Sequence, residues 1–567
     1  MKRVFLLALV FSFIALPLSG RAAVQTKDMR SKIDQYMNAA AKVEHFMGSV
    51  LVARGAQVVN AKGYGMADLK AHVPNTADTE FRIGSVTKQF TAMAILMLQS
   101  DGKLNVQDNI CKYVPDCPKD WQPITIYNLL THTSGIPNFT GFPNYMTVQA
   151  QPHTPTQLLA LFKDKPLDFK PGAKFSYSNS GYVVLGYIIE RASGETYKQF
   201  LQQHIFGSLG MKNSGYDSSH PTAKNHAKGY EYSHGEYKPA QYVDMSVPFS
   251  AGALYSTVQD LYTWDRALAA GKLIPNSLQK QMFTPQVLVG GELSKAVGDQ
   301  SYYGFGWFIS NEFGHKEYSH EGGIQGFTSF NSWFPDQHVY VIVLDNMTSP
   351  DVFTVSRSLA AIVFGGKYTI PEVPKAIHLP AKELQKFVGR YQVKPGFLMF
   401  VTLADDQLKA QLTGQSAFPI YPESKTRFFF KIVRAEINFA TNAKGEVTGF
   451  VLHQSGQSIP GKKLKPGEKI KTPKAPKTVS LTPEELQKFV GTYQITSDFS
   501  IVITREGDQL KEQATGQAAL PLFPKSKTEF YLKAVEAQIS FVTDSKGHVT
   551  GLVLHQHGRK TPGKKIK

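Results

Sequence analysis

Two stretches near the end of the chain are close copies of each other. Leu384-Gln-Lys-Phe-Val-Gly-Arg-Tyr-Gln-Val393 returns as Leu486-Gln-Lys-Phe-Val-Gly-Thr-Tyr-Gln-Ile495, and Val447-Thr-Gly-Phe-Val-Leu-His-Gln454 returns as Val549-Thr-Gly-Leu-Val-Leu-His-Gln556. Both pairs keep one offset of 102 residues (486 − 384), so the tail is one module written twice. That period is far longer than those of stacked solenoid repeats, which points to two tandem small domains. Inside each copy, alternating segments such as Arg427-Phe-Phe-Phe-Lys-Ile432 and Phe450-Val-Leu-His453 are separated by Gly, Pro and Asn-Ala-Lys-Gly turns. This pattern predicts antiparallel strands, and hence small β-barrels or curled sheets.

Proline marks the joints. Pro371-Glu-Val-Pro-Lys375 through Pro380 precedes the first copy, and Pro466 to Pro476 separates the two; such segments act as semi-rigid spacers. The expected organisation is a leader at 1–23, a main domain at 24–370, a linker at 371–380, the first β-rich repeat at 381–465, a linker at 466–482 and the second repeat at 483–567.

Charge follows the same division. Residues 380–567 hold 29 Lys and Arg against 16 Asp and Glu, a net +13 out of the whole chain's +17. Nucleic acid is a poor partner for an exported protein, so this basic tail fits an anionic cell-envelope polymer, a lipid headgroup surface, or a merely solvated face.

Export is read from the first residues. Lys2 and Arg3 precede an apolar run from Val4 to Leu16, followed by Pro17 and small residues toward Ala22 and Ala23. This is the pattern of a secretory signal peptide, too short to span a bilayer, and predicts a secreted or periplasmic mature protein with no transmembrane segment. The two cysteines, Cys111 and Cys117, could close a small disulfide loop in that compartment.

The first 350 residues mix two periods. A polar helix is expected around Met29 to Ala41, a hairpin at Gly48–Arg54 and Gln57–Asn60, and helices at Thr156–Phe162, Gly181–Arg191 and Thr257–Ala270. Strands return at Gly306–Ile309, Gly326–Phe330 and Val339–Leu344. Strands at both ends of a helical middle predict one sheet closed by the two ends of the domain, an α/β sandwich with a helical insert.

Chemistry enters with the stretch Phe81 to Ser100, where Ser85 and Lys88 head a long apolar helix. Residues three apart share a helix face, and the unpaired N–H groups of the first turn point toward the serine. A weak nucleophile thereby gains a nitrogen base and a positive field. The tetrapeptide alone is weak, since on the order of three Ser-x-x-Lys matches are expected by chance in a chain this rich in both residues. It needs partners. Phe175-Ser-Tyr-Ser-Asn-Ser-Gly-Tyr182 places Tyr177 and Asn179 just before a helix, and Tyr318-Ser-His-Glu-Gly-Gly-Ile-Gln-Gly-Phe327 is a Gly-rich turn into a strand.

In this order, Ser85-x-x-Lys88, Tyr177-x-Asn179 and His320-x-Gly322 resemble the three motifs of the penicillin-recognising serine hydrolases: class C β-lactamases, D-Ala-D-Ala carboxypeptidases and their esterase relatives. Thr79 to Ser85, Ile124 to Pro137, Leu209 to Asn213, Ala251 to Thr257 and Tyr303-Gly-Phe-Gly-Trp307 are also similar to that family, so the likeness covers roughly residues 30–350. The duplicated tail resembles accessory domains found behind such catalytic domains.

The resemblance implies a β-lactamase-like sandwich and an acyl-enzyme mechanism without a cofactor. Ser85 would attack a carbonyl, Lys88 and Tyr177 would accept and return its proton, and Asn179 would hold the lysine or the acyl side chain. His320 stands where β-lactamases usually carry lysine, and the backbone N–H groups of Ser85 and Gly323 would bind the oxyanion. No metal is implied: His320-Glu321 begins like a zincin motif, but Ile324 stands where the second histidine belongs. No Gly-x-Ser-x-Gly elbow occurs, which disfavours an α/β-hydrolase. His132 lies in a strongly family-like stretch but is read as structural.

Glu321, with Gly322 in the substrate-binding set, departs from the pattern. Many relatives carry threonine, serine or glycine there, and a carboxylate would repel a substrate carboxylate. The expected substrate is a D-amino-acid peptide or a β-lactam, with an ester as the alternative within the same chemistry. A different alternative is a protein without turnover, binding penicillin or the envelope through the basic repeats.

Overall fold

This computed structural model describes residues 18–567 apart from 143, 218–224, 234–235, 290–300, 349–350, 373, 432–434, 455–456, 469–478, 496–498, 516–518, 533–536, 545, 557–558 and 567. Most of the expected leader, and most of the spacer between the two repeats, lie outside the described residues.

An eight-stranded antiparallel sheet organises the first part of the chain. Its strands are β1 (Gly48–Arg54), β2 (Gln57–Tyr64), β3 (Val287–Leu288), β4 (Tyr302–Tyr303), β5 (Phe308–Glu312), β6 (His315–Ile324), β7 (Phe327–Phe334) and β8 (Val339–Asp345), in the order β3-β4-β5-β6-β7-β8-β1-β2. The first and last strands meet in the middle, Gly48 opposite Asp345 and Arg54 opposite Val339, so the two ends of the region do close one sheet. All seven residues of β8 are buried. A strand buried on both faces needs an apolar run, and Val339-Tyr-Val-Ile-Val-Leu344 supplies it.

Period-two alternation distributes that run between two cores. Val339, Val341 and Val343 pack with Ile33, Tyr36 and Met37 of helix α1 (Leu18–Val43) and with Val355 and Leu359 of helix α5 (Val352–Phe364). Tyr340, Ile342 and Leu344 face the opposite core, with helices α2 (Thr87–Ser100), α3 (Asn179–Ser193) and α4 (Val258–Ala269). The helical insert between β2 and β3 thus covers one face of the sheet while the two flanking helices cover the other. α2 is buried along almost all its length, as expected of a helix apolar on every side.

Two details differ from the sequence expectation. The first helix is longer than Met29–Ala41 because it runs back to Leu18. The strand expected at Gly306 starts at Phe308, because Gly306 is a turn residue at φ +77°; a Cβ there would sit 2.7 Å from the carbonyl oxygen of Lys88. That turn packs directly on α2.

Each tail repeat folds as a closed eight-stranded antiparallel barrel, from Gly389–Lys394 to Gln457–Lys463 and from Gly491–Gln494 to Arg559–Lys565. Closure is equivalent in the two: Tyr391 pairs with Lys463, and Tyr493 with Lys565. Both tyrosines donate to a carbonyl four residues earlier, Phe387 at 2.6 Å and Phe489 at 2.7 Å. Among the described residues, one interior position changes from apolar to charged. Ala410 of the first barrel corresponds to Glu512 of the second, both buried.

Candidate active site

The chain reaches Ser85 along a short strand, Phe81–Arg82, held by the ion pair of Arg82 with buried Asp217 at 2.6 Å. Gly84 then turns it at φ +48° into a 3-10 turn, Gly84–Val86, that leads into α2. Both glycine motifs exist for one contact. A Cβ on Gly84 would lie 2.8 Å from the amide nitrogen of Gly323, and one on Gly322 would lie 2.0 Å from the carbonyl oxygen of Ile83. Only glycine allows β6 and the Ser85 turn to touch backbone to backbone. The contact sets the first-turn amides beside Ser85 against the strand segment that carries Gly323.

Lys88 is fully buried, and its Nζ makes three contacts: Ser85 Oγ at 2.9 Å, Asn179 Oδ1 at 2.9 Å and the Ala251 carbonyl at 2.8 Å. Burial holds the amine well below its ordinary value of 10.5. Described residues supply no carboxylate to pair with it. A neutral amine has two N–H donors and one lone pair. The amide oxygen and the backbone carbonyl, which can only accept, take the two donors, which leaves the lone pair facing Ser85. Asn179 is itself fixed, its Nδ2 donating to Thr140 Oγ1 at 3.2 Å and its backbone N–H to Asn138 Oδ1 at 3.1 Å.

Tyr177 closes over this group, with Lys88 Nζ 4.8 Å from its ring centroid. Its hydroxyl is buried and makes no hydrogen bond of ordinary geometry, although the Ser85 hydroxyl is close. Burial pushes the phenol well above 10, against a smaller downward pull from the nearby Ser85 hydroxyl. At neutral pH it therefore keeps its proton. His132 packs at a tilt on the Tyr177 ring, centroids 4.2 Å apart, and accepts the Ser178 N–H on Nδ1 at 3.1 Å. Burial lowers its pKa well below 6.5, so it is a neutral wall.

His320 is buried on β6. Its Nδ1 lies 2.6 Å from the carbonyl of Glu321 and its Nε2 lies 3.0 Å from the Tyr303 hydroxyl. Burial, with Lys88 adding to it, pushes its pKa down to about 3. Glu321 has surface open to the cleft yet is enclosed by protein on most sides; that burial raises its carboxyl, and Asp351 adds to the rise. Its charge reaches the Tyr177 phenol. Cys111 and Cys117 are joined by a disulfide.

Comparison with known proteins agrees with this geometry. Residues 39–363 match the family described as Beta-lactamase, 325 of 567 residues. The chain belongs to the Beta-lactamase family. Residues 373–465 and 475–565 each match a domain of unknown function, DUF3471. A penicillin-binding protein of Bacillus subtilis (strain 168) is 28% identical over 451 residues, 76% of this chain and 98% of that protein. The solved octameric penicillin-binding protein homologue of Pyrococcus abyssi is 27% identical with a TM-score of 0.56, and the match covers 76% of this chain and 99% of that one. A D-stereospecific amidohydrolase from Streptomyces sp. is 25% identical with a TM-score of 0.52, over 60% of this chain and 99% of its own. Each of the first two matches covers 76% of the 567 residues, roughly 430 and more than precede the first repeat, so both run into the repeats.

Within this Beta-lactamase family member, the fold brings Ser85, Lys88, Tyr177 and Asn179 into one cluster and lays the segment from His320 to Gly323 against the Ser85 turn. His320 is the exception in kind, since both ring nitrogens are already engaged away from Ser85. Sequence reasoning assigned no role to Ala251, Asn138, Thr140 or Tyr303. A backbone carbonyl leaves no trace in residue identity. Tyr303 stood in a family-like stretch, but its partner lies on another strand.

Proposed function

We propose that this chain is an exported serine hydrolase that forms an acyl-enzyme on Ser85 with an amide or ester carbonyl, and that its substrate is a D-amino-acid peptide, amide or ester. The observation that carries the proposal is the Lys88 amine, buried, lowered in pKa and 2.9 Å from Ser85 Oγ, with its two donors assigned to acceptors that cannot move.

The roles follow from the protonation states. Ser85 gives its proton to the Lys88 lone pair as Oγ attacks. The amides of Ser85 and Gly323 take the developing oxyanion; a Cβ added to Gly323 would meet nothing within 4 Å, so the approach to it is open. Tyr177, holding its proton at neutral pH, donates toward the leaving group instead of starting as a phenolate. The Lys88 ammonium then returns the Ser85 proton to the tyrosine oxygen, so the leaving group departs with one proton and both groups are restored. Water then repeats the sequence on the ester.

The substrate class rests on charge. Burial drives Lys88 and His320 toward their neutral forms, and Glu321 brings a carboxyl with no cationic partner among the described residues. A substrate carboxylate next to Glu321 would meet an anion and no fixed cation. That favours amides and esters over free carboxy-terminal peptides and penicillins, in keeping with similarity to a D-stereospecific amidohydrolase. The basic repeats are assigned to an anionic envelope polymer. Rates on a D-amino-acid amide, a D-Ala-D-Ala peptide, a penicillin and a short acyl ester test the reading. Turnover of the amide or ester above the two carboxylates supports it, and efficient hydrolysis of the penicillin contradicts it.

A further inference from the structure

His320 occupies the place of a cation, yet burial disfavours a charge there, and a hydroxyl from two strands away meets its second ring nitrogen. Tyr303 on β4 pairs with Phe308 on β5, which pairs with Ser319 on β6. Its side chain crosses Phe308, ring centroids 4.9 Å apart, to bring its hydroxyl 3.0 Å from His320 Nε2. The Glu321 carbonyl at Nδ1 can only accept, so Nδ1 carries the hydrogen. Nε2 of that tautomer can only accept, and the Tyr303 hydroxyl donates to it.

We propose that Tyr303 is a positioning residue that locks His320 in the neutral Nδ1–H tautomer, so that the third motif of this site contributes backbone groups and no positive charge. A donor to the uncharged form of a base disfavours its protonation. The groups facing His320 from neighbouring elements agree. None offers a counter-ion: Lys88 from α2 and the His132 ring are both buried with lowered pKa values, Phe308 offers only an apolar ring at 5.1 Å, and Tyr177 lies at 6.2 Å with its proton retained. The carboxylate of Glu321 is separated from the ring by its own backbone. The Tyr303 turn is anchored independently, since Gly306 packs on the Lys88 carbonyl.

Removing the hydroxyl frees Nε2. Tyr303→Phe removes the donor that holds Nε2 as an acceptor, so His320, although still buried, gains a proton more readily as pH falls, and its cation then attracts a substrate carboxylate. The experiment uses the full chain and a matched pair of substrates, an N-acyl-D-alanyl thioester of thioglycolate and the same thioester with the carboxylate converted to an amide. It rests on the proposed hydrolase activity, and wild-type turnover of the neutral thioester checks that separately. The readout is the ratio of kcat/KM for the charged over the neutral substrate. Both proteins carry Glu321→Gln, because titration of the raised Glu321 carboxyl would move the same ratio; in that background the ratio is flat from about pH 8 to 5, and with Tyr303→Phe added it rises about tenfold, the size of a modest charge pair. A flat ratio in the folded variant overturns the proposal, because loss of packing alone lowers both rates together. Nitrogen-15 histidine NMR of the wild-type protein gives an independent answer, needing neither the variant nor turnover. His320 must show a protonated Nδ1 and a bare Nε2 unchanged over the same range, and titration of that ring there overturns the lock.

Discussion

Lys88→Met separates a neutral lysine from a charged one by its effect on stability. The unfolded chain holds this lysine near its ordinary value of 10.5, whereas burial holds it well below that in the fold. Between the two values the unfolded state binds one proton that the folded state lacks, so stability rises with pH across that window and levels off above 10.5. One proton corresponds to about 1.4 kcal/mol per pH unit. Met cannot titrate. The stability of wild type minus that of Lys88→Met should therefore grow by about 1.4 kcal/mol for each pH unit between the lowered folded value and 10.5. The variant also strips a donor from Asn179 Oδ1 and from the Ala251 carbonyl, each worth roughly 1–3 kcal/mol. That offset does not depend on pH, so the slope carries the information. The assay is urea unfolding followed by tryptophan fluorescence. All four tryptophans, Trp121, Trp264, Trp307 and Trp333, are buried in the Beta-lactamase region, so the signal excludes the barrels. A stability difference independent of pH would mean that Lys88 is charged when folded, and the base assignment would fail.

Other perturbations follow from the same geometry. Gly84→Ala forces a Cβ to 2.8 Å from the Gly323 nitrogen at a positive φ; acylation should fall about 10²- to 10³-fold as the oxyanion amides separate, measured by stopped-flow ester hydrolysis. Glu321→Gln should raise kcat/KM on a penicillin or a free D-Ala-D-Ala peptide about tenfold relative to a neutral ester, a change of about 1.4 kcal/mol in discrimination; an unchanged ratio contradicts the charge argument. In the second barrel, burial pushes Glu512 up to about 7 from an ordinary 4.5. A raised carboxyl favours the fold below pH 4.5 and loses that contribution as pH rises through 7. Allowing for partial exposure, about 2 kcal/mol should vanish over that range, read by hydrogen exchange of barrel peptides in the full chain; Glu512→Ala, which copies Ala410, should abolish the dependence. Removing residues 371–567 should end salt-sensitive sedimentation with cell-wall material while leaving ester hydrolysis intact, and unchanged sedimentation rejects the envelope role.

Much of this was legible in the sequence, for identifiable reasons. The repeat at an offset of 102 residues predicted paired β modules because each copy carries its own alternation and turns. The sheet was readable from Val339–Leu344 and from the hairpin at Gly48–Arg54 and Gln57–Asn60, whose apolar runs lie at the two ends of the domain. Ser85 and Lys88 could be paired because three residues of helix fix their spacing. What stayed hidden depends on chain segments that meet only after folding. The partner of Lys88 at Ala251 is a carbonyl that any residue would supply. The tautomer of His320 is set by Tyr303, and residue identity alone cannot say that a histidine in a lysine position is held neutral. Tyr177 was expected to share the base role; its burial leaves a phenol that keeps its proton.

The central claim is that Ser85 is a nucleophile activated by a neutral Lys88. It is tested most directly by intact-mass analysis after exposure to a fluorophosphonate, which phosphonylates only an activated serine facing an oxyanion site. One adduct is predicted, on the peptide containing Ser85, absent in Ser85→Ala and formed at least about 100-fold more slowly in Lys88→Met. An adduct that persists in Ser85→Ala, or one that forms at an equal rate in Lys88→Met, would contradict the account.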